Sequence, residues 1–483
     1  MTRIDRREVL KGAVAVAATA VCAGAGPRAW AADRPTAVVI GSGIAGLSAA
    51  HDLQAAGFSV TVFETCNIAG GRMIEAWMGP LYGYVHASAL YEGSREMWAL
   101  AGEVGLADDV DGQPDGDIWG FPVDNGHATY IVATRLHLTE MMNIPGLSAE
   151  TKGRLWALFP DLAEIRSEVD PCLLGTGARW DRESLWDYCA GTLGEQAAQE
   201  IMDYWMEPAL LWPWNWSATE TSMIAPIAIV AQQDKRWIRP RSGIGFLTRK
   251  LATMVDVRLN TTVMRVSTPD ASGRHSVHYL TPDGEFRSVT PEVVLCTTQG
   301  DFVLPIIEGL DPRQHEFFSR IHTTKYAMVQ YILKPEHSPT KPLGGPAGTR
   351  NHPDEVKRKL AFGWSVQPAR PNRPAVASFS LSQSEEEHWR ASGQSLPDFC
   401  MPLAQALYPA MRPEAIDDVV VRAGDNLAQM PTGFVREMAA FLSAQEKERR
   451  GLYFAGEYLG NSFTGGACAS GRTVARTIIR HWA

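Results

Sequence analysis

The 483-residue chain predicts an α/β fold, a parallel sheet flanked by helices and intertwined with a second domain. Three observations carry this expectation. Near the amino end, a β-branched apolar run leads through a glycine turn into an alanine-rich helix and a second apolar run. A further strand, glycine and helix unit closes the chain. The length exceeds what one simple core holds, which makes two domains the natural division.

Ahead of the first strand, "DRREVLKGAVAVAATAVCAGAG" joins a basic head (Arg3, Arg6, Arg7, Lys11) to an apolar run from Gly12 to about Gly26. Ala29-Trp30-Ala31 then offers an A-x-A processing site, the layout of a cleavable export signal. The run falls short of the ~20 residues a membrane-spanning helix needs. R-R-x-V-L-K resembles the twin-arginine signal, whose route exports folded proteins. It implies the twin-arginine machinery as a partner and a periplasmic or secreted destination. Residues 1–31 carry +3 of a formal net charge of −9, leaving −12 on the remainder. That acidity argues against nucleic acid or anionic lipid as partners. Cys66, Cys172, Cys189, Cys296, Cys400 and Cys468 are scattered without a C-x-x-C pair, indicating neither a metal site nor a dense disulfide framework.

The segment "TAVVIGSGIAGLSAAHDLQAAGFSVTVFE" holds the first site. Thr36–Ile40 is wholly apolar after its first residue, as a parallel strand buried on both faces should be. Gly41 permits a tight turn, Gly43 lets the backbone approach a pyrophosphate, and Gly46 allows close helix–strand packing. The helix start at Ile44 and Ala45 offers free N–H groups and a positive dipole end to phosphate. A second strand, Ser59–Phe63, ends at Glu64, twenty-one residues past Gly43, suited to accept hydrogen bonds from ribose hydroxyls. The unit is therefore a Rossmann-like dinucleotide-binding element.

Five residues separate Glu64 from Gly70-Gly71-Arg72, and "ETCNIAGGR" resembles the E-A-x(4)-G-G-R signature of the flavin amine oxidase superfamily. That superfamily includes monoamine and polyamine oxidases, protoporphyrinogen oxidase and phytoene desaturases. The resemblance implies FAD rather than NAD. Gly70 and Gly71 let the backbone run along the cofactor, and Arg72 brings a permanent cation toward phosphate or flavin. Ala87 and Ser88, in "YGYVHASAL", fall in the same neighbourhood.

The last unit, "GLYFAGEYLGNSFTGGACASGRTVARTIIRHW", reads as a strand Leu452–Ala455 and a helix Ala467–His481 opening behind Gly465-Gly466. In the superfamily the matching A-G-[DE] segment contacts the ribityl–pyrophosphate region, implying Gly456 and Glu457, and the helix start faces the flavin pyrimidine edge, implying Gly466 and Ala467. "DVRLNTTVMRV" resembles the strand whose valine binds adenine through its backbone, placing Val263 there. "EVVLCTTQGDF" resembles the strand that closes the FAD domain. No cysteine stands where monoamine oxidases attach flavin covalently, so non-covalent FAD is expected.

The resemblance divides the chain into a signal peptide (1–31), FAD-binding parts at 35–120, 236–300 and 446–483, and an α+β substrate domain. Within the last, 121–235 carries a helical lobe and 301–445 an antiparallel sheet. The lobe shows helical spacing from Glu150 and again in "ESLWDYCAGTLGEQAAQEIMDYWMEPAL", with Ser184 or Glu183 as its cap. Trp205, Trp212, Trp214 and Trp216 either line an apolar substrate channel or form a core corner.

Three catalytic candidates stand out. Superfamily amine oxidases place a lysine, through a water, near flavin N5. In "HTTKYAMVQYIL" that residue is Lys325, although another register puts Met328 there. His86 reads as a proton acceptor, a substrate contact or a packed histidine. Phe463 falls near one aromatic of the amine-oxidase cage. The expected function is hydride removal from a small organic substrate, foremost by C–N oxidation, with reoxidation by O2 or another acceptor. Protoporphyrinogen-oxidase-like or desaturase-like dehydrogenation is the alternative, and a flavin-dependent isomerase or cyclase without net redox a third class. The oligomeric state, including a homodimer, stays open.

Overall fold

The computed structural model describes residues 34–482 except 88, 110–119, 124–128, 133–146, 204, 207–215, 233–234, 236, 239, 342, 346–354 and 372. The export signal, Ser88, Trp212 and Trp214 lie outside the described residues.

Five strands form one parallel sheet in the order Leu452–Phe454, Val293–Cys296, Thr36–Ile40, Ser59–Phe63, Asp256–Arg258. The amino-terminal strand is central, and the carboxy-terminal strand closes one edge. Alternate residues feed two cores, as the two-residue period of a strand requires. Ala37, Val39, Val62, Leu295 and Tyr453 pack with the helix Ile44–Ala55 and the terminal helix. Val38, Ile40, Phe63, Cys296 and Phe454 pack on the other side against Tyr279, Phe318 and Tyr458. Burial on both faces is why these strands read as continuous apolar runs.

Two sequence expectations shift. The segment "DVRLNTTVMRV" is split at Asn260, whose φ of 51° is left-handed. Asp256–Arg258 edges the parallel sheet, while Thr262–Val266 joins a three-stranded antiparallel sheet. The terminal helix spans Thr464–Trp482, so Gly465 and Gly466 lie in its first turn rather than before it. Contacts explain the pair: a Cβ on Gly465 would stand 2.0 Å from Ser94 Oγ, and one on Gly466 2.0 Å from the Asn461 carbonyl oxygen.

A second, antiparallel sheet runs Leu343–Gly345, Leu360–Gln367, Ala375–Leu381, Thr323–Leu333, Ile416–Ala428. One face is an apolar core of Ala327, Val329, Tyr331 and Phe379, covered by the helix Leu396–Leu407. In the helical lobe, Ser184 caps Leu185–Leu193 by accepting from the Asp187 N–H at 3.0 Å. Gly194, at φ 85°, then breaks the expected continuous helix, which resumes over Glu195–Ile201. Trp205 and Trp216 are buried in the core cluster of this region. Among the described residues the six cysteines are free, and no helix is long and apolar enough to cross a membrane.

Candidate functional site

The glycine turn is shaped by its need for backbone contact. Gly41, at φ 102°, donates its N–H to the Phe63 carbonyl at 2.8 Å and so joins the first two strands. Gly46 lies so close beneath the turn that a Cβ would stand 2.1 Å from the Gly41 carbonyl oxygen. Gly43 differs: a Cβ there would meet nothing within 4 Å. The helix Ile44–Ala55 thus begins with N–H groups beside open space, a cradle suited to phosphate.

Glu64 is buried at the end of the second strand. One carboxylate oxygen accepts from the Ser42 N–H (2.9 Å) and hydroxyl (2.7 Å), the other from the Cys66 N–H (2.8 Å). The acid is therefore held at the lip of the glycine turn. The Thr261 N–H donates to the Glu64 carbonyl at 2.8 Å, tying in the strand of Val263, which is itself buried opposite Tyr279.

The Gly70-Gly71-Arg72 segment lies directly on this turn. Gly70 and Gly43 form a backbone bridge, and a Cβ on Gly71 would come within 3.0 Å of the Gly43 Cα. Both glycines have positive φ, 126° and 58°. Arg72 then reaches across the molecule. One terminal nitrogen pairs with Glu457 at 2.7 Å, and the other donates to the Asn426 carbonyl at 2.5 Å. Its own carbonyl accepts from the Ala87 N–H at 3.1 Å.

The end of the chain closes the site. Gly471 of the terminal helix crosses the first helix so tightly that a Cβ would stand 2.2 Å from the Ala45 carbonyl oxygen. Beside it Arg472 pairs with Asp52 at 2.9 Å and Glu103 at 3.0 Å. Burial alone would raise the Asp52 pKa, but hydrogen bonds from His51 and Arg472 outweigh it and hold the carboxyl below its ordinary value. Gly456 donates its N–H to Ser470 Oγ at 3.1 Å. Ala467 is buried and donates to the Phe463 carbonyl. Burial pushes the Cys468 thiol up to about 12, keeping it a neutral packed residue.

The three catalytic candidates separate. Tyr326 OH lies 3.3 Å from His86 Nδ1, and the rings meet edge to face. That contact brings one face of the antiparallel sheet to the stretch after the G-G-R segment. Lys325 pairs with Asp425 and stands on the opposite face, with Ala327, Val329 and Tyr331. Met328, the alternative register, shares the face of Tyr326. Phe463 is buried edge to face against Tyr91.

The residues present fit a dinucleotide. The space above Gly43 admits one, and two buried oxygens, Glu457 Oε1 and Thr464 Oγ1, have no hydrogen-bond partner among the described residues. Buried polar atoms rarely stay unsatisfied, and a polar ligand seated here would supply the partners these two lack. Sequence reasoning missed Ser42, Asn426 and Tyr326. Ser42 was visible inside G-S-G; the other two sit on strands without a motif.

The family described as flavin containing amine oxidoreductase matches residues 44–479. Among solved structures, the chain is similar to putrescine oxidase bound to putrescine, with 16% identity, 92% of this chain and 99% of that chain covered, and a TM-score of 0.65. It is similar to a candidate protoporphyrinogen oxidase from Exiguobacterium sp. 255-15, at 15% identity, 92% and 99% coverage and a TM-score of 0.66. It is also similar to a CLA-producing fatty acid isomerase from P. acnes, at 15% identity, 93% and 99% coverage and a TM-score of 0.66. At these identities the likeness is one of fold. Phytoene desaturase of Cercospora nicotianae is 62% identical over 39 residues, 8% of this chain and 6% of that protein, so only a small part of that relative is spanned.

Proposed function

The chain belongs to the flavin-containing amine oxidoreductases, and from that premise we propose that it binds FAD non-covalently and oxidises a C–N bond of a small organic substrate. The observation that carries this reading is the Arg72–Glu457 pair, which joins the G-G-R segment to the A-G-E segment 385 positions later. When bound, FAD supplies a two-electron acceptor for a hydride from the substrate carbon. The chain's own residues do the rest. Glu64 holds ribose hydroxyls, and the N–H groups from Gly43 to Ala45 take the pyrophosphate. Glu457 Oε1, buried without a partner among the described residues, would accept from the ribityl chain. Of the predicted pair Gly466 and Ala467, the Ala467 N–H is already given to the Phe463 carbonyl, so the N–H groups of Thr464 to Gly466 would face the pyrimidine edge, where negative charge accumulates on reduction. Tyr326 and His86 form the pair best placed to orient the substrate and exchange a proton with it.

A neutral amine needs no dedicated base, because the nitrogen lone pair assists hydride departure. The location of Lys325 on the far face of its strand favours a second reading, protoporphyrinogen-oxidase-like or desaturase-like C–H dehydrogenation. Anaerobic titration separates the two: amines should bleach the flavin absorbance, whereas bleaching only by polycyclic or polyene donors would replace the first reading by the second. A product isomeric with its substrate, formed without acceptor consumption, would support the isomerase class, to which one structural relative belongs. The twin-arginine pattern supports export of the folded, FAD-loaded protein. A mature protein beginning at Ala32 in the exported fraction is the expected result, and an intact amino terminus in the cytoplasm would contradict it.

A further inference from the structure

The two faces of the antiparallel sheet differ around Tyr326 and Arg422, beyond the point where Ile332, Val376 and Val420 pack with Met78 and Leu81. Beneath the apolar face, the face of Tyr326 carries a polar row: Ser365 pairs across with Ser378, and Ser378 with Gln330. Arg422 stands opposite Met328, diagonal to Gln330. Gln330 is buried and fixed at both ends. Its Nε2 donates to Ser378 Oγ at 3.1 Å, and its Oε1 accepts from an Arg422 terminal nitrogen at 2.8 Å. An amide held this way cannot turn over without losing both bonds, so it sets the direction of the guanidinium plane. Tyr326, Met328, Ser378 and Arg422 keep partial exposure, whereas Ala327, Val329 and Tyr331 on the other face are fully buried. The polar row therefore borders accessible space.

Its position along the strand gives a length. Gly424 lies opposite Tyr326, and Arg422 is two residues further, about 7 Å at ~3.3 Å per residue. Asn426, whose carbonyl holds Arg72, is four residues away, about 13 Å. A guanidinium is a rigid planar fork matched to carboxylate oxygens. We propose that Arg422, positioned by Gln330, recognises a carboxylate at the end of the substrate remote from the carbon that is oxidised. This rests on the C–N oxidation reading above and sharpens it: the substrate is an amine carrying a carboxylate several carbons away.

The test uses the FAD-loaded enzyme with 6-aminohexanoate, hexylamine and the non-reactive hexanoate. Hexanoate should perturb the flavin spectrum or release heat on binding the parent enzyme, and Arg422→Met should weaken it about tenfold or more. 6-Aminohexanoate should be preferred over hexylamine in kcat/KM, and Arg422→Met should erase that preference. Gln330→Leu should raise KM for 6-aminohexanoate and leave kcat nearly unchanged, as expected of a positioning residue. If Arg422→Met lowers FAD content, Arg422→Gln, which keeps donors without charge, replaces it in the comparison. No hexanoate binding to the parent enzyme, or binding to the Arg422 variants as tight as to the parent, would overturn the proposal. Arg422-dependent hexanoate binding with neither amine reducing the flavin would uphold the anion site and sink the C–N reading alone.

Discussion

The parallel-sheet end and the antiparallel-sheet end of this molecule are built by different means. At the first, backbone meets backbone: Gly46 against Gly41, Gly71 against Gly43, Gly471 against Ala45. At the second, a regular sheet presents side chains, and Gln330, Arg422 and Tyr326 define what lies against it. Close backbone approach leaves no freedom of residue type, while a sheet face accepts almost any side chain of suitable size. The parallel-sheet end is thus fixed by geometry, and the antiparallel-sheet end by side chains that can vary on an unchanged frame.

The sharpest way to break this contrast is within the glycine turn itself. Gly46→Ala would drive a methyl group into the Gly41 carbonyl and Thr297 Oγ1, at 2.1 and 2.7 Å. The expected cost is about 3 kcal/mol or more, seen as loss of soluble protein or a large drop in Tm. Gly43→Ala meets open space and should leave the apoprotein Tm almost unchanged while weakening FAD. Equal effects from the two substitutions would contradict the assignment of open space to the ligand.

Glu64→Ala comes next. It leaves the Ser42 N–H and hydroxyl and the Cys66 N–H without their acceptor, at a cost of about 1–3 kcal/mol. FAD occupancy after gel filtration should fall, and unchanged occupancy would remove the ribose role.

A smaller effect is expected at the clamp between the two helices. Asp52 has a folded pKa below its ordinary 3.8. Its contribution is therefore complete above that ordinary value and is lost as pH falls through the lower folded value. Tm measured from pH 6 to 3 should drop in the parent protein and drop less steeply over the acid limb in Arg472→Met. Parallel profiles would show that the pair does not hold the helices together.

Lys325→Met should matter least. The Lys325–Asp425 pair is substantially exposed, and such pairs contribute about 0.2–1 kcal/mol. Flavin reduction by the best amine should change no more than a few-fold. A loss of several orders of magnitude would return Lys325 to the reaction centre.

The same contrast explains what was legible in the sequence. The α/β fold could be read because Gly41, Gly46, Gly70 and Gly71 are each required by a turn or an approach. Glu64 could be read because it ends a short apolar strand. The boundaries were less legible. Asn260 adopts a left-handed turn inside a seemingly continuous strand, and Gly465 and Gly466 look like helix stops but serve as contact points within the first turn. Arg422, Gln330 and Asn426 gave no signal, because strand periodicity assigns a face but not what lies opposite it. Lys325 and Tyr326 are neighbours in sequence and stand on opposite faces, a distinction one residue of register decides.

The most direct measurement of the whole account is the amount of FAD released by acid from the purified protein and from Glu457→Ala. The expected result is one FAD per chain for the parent, and a folded, largely colourless variant that no longer pairs with Arg72. A parent protein that stays colourless after reconstitution with FAD, or a variant that retains full occupancy, would contradict the claim that both ends of the chain close on one flavin nucleotide.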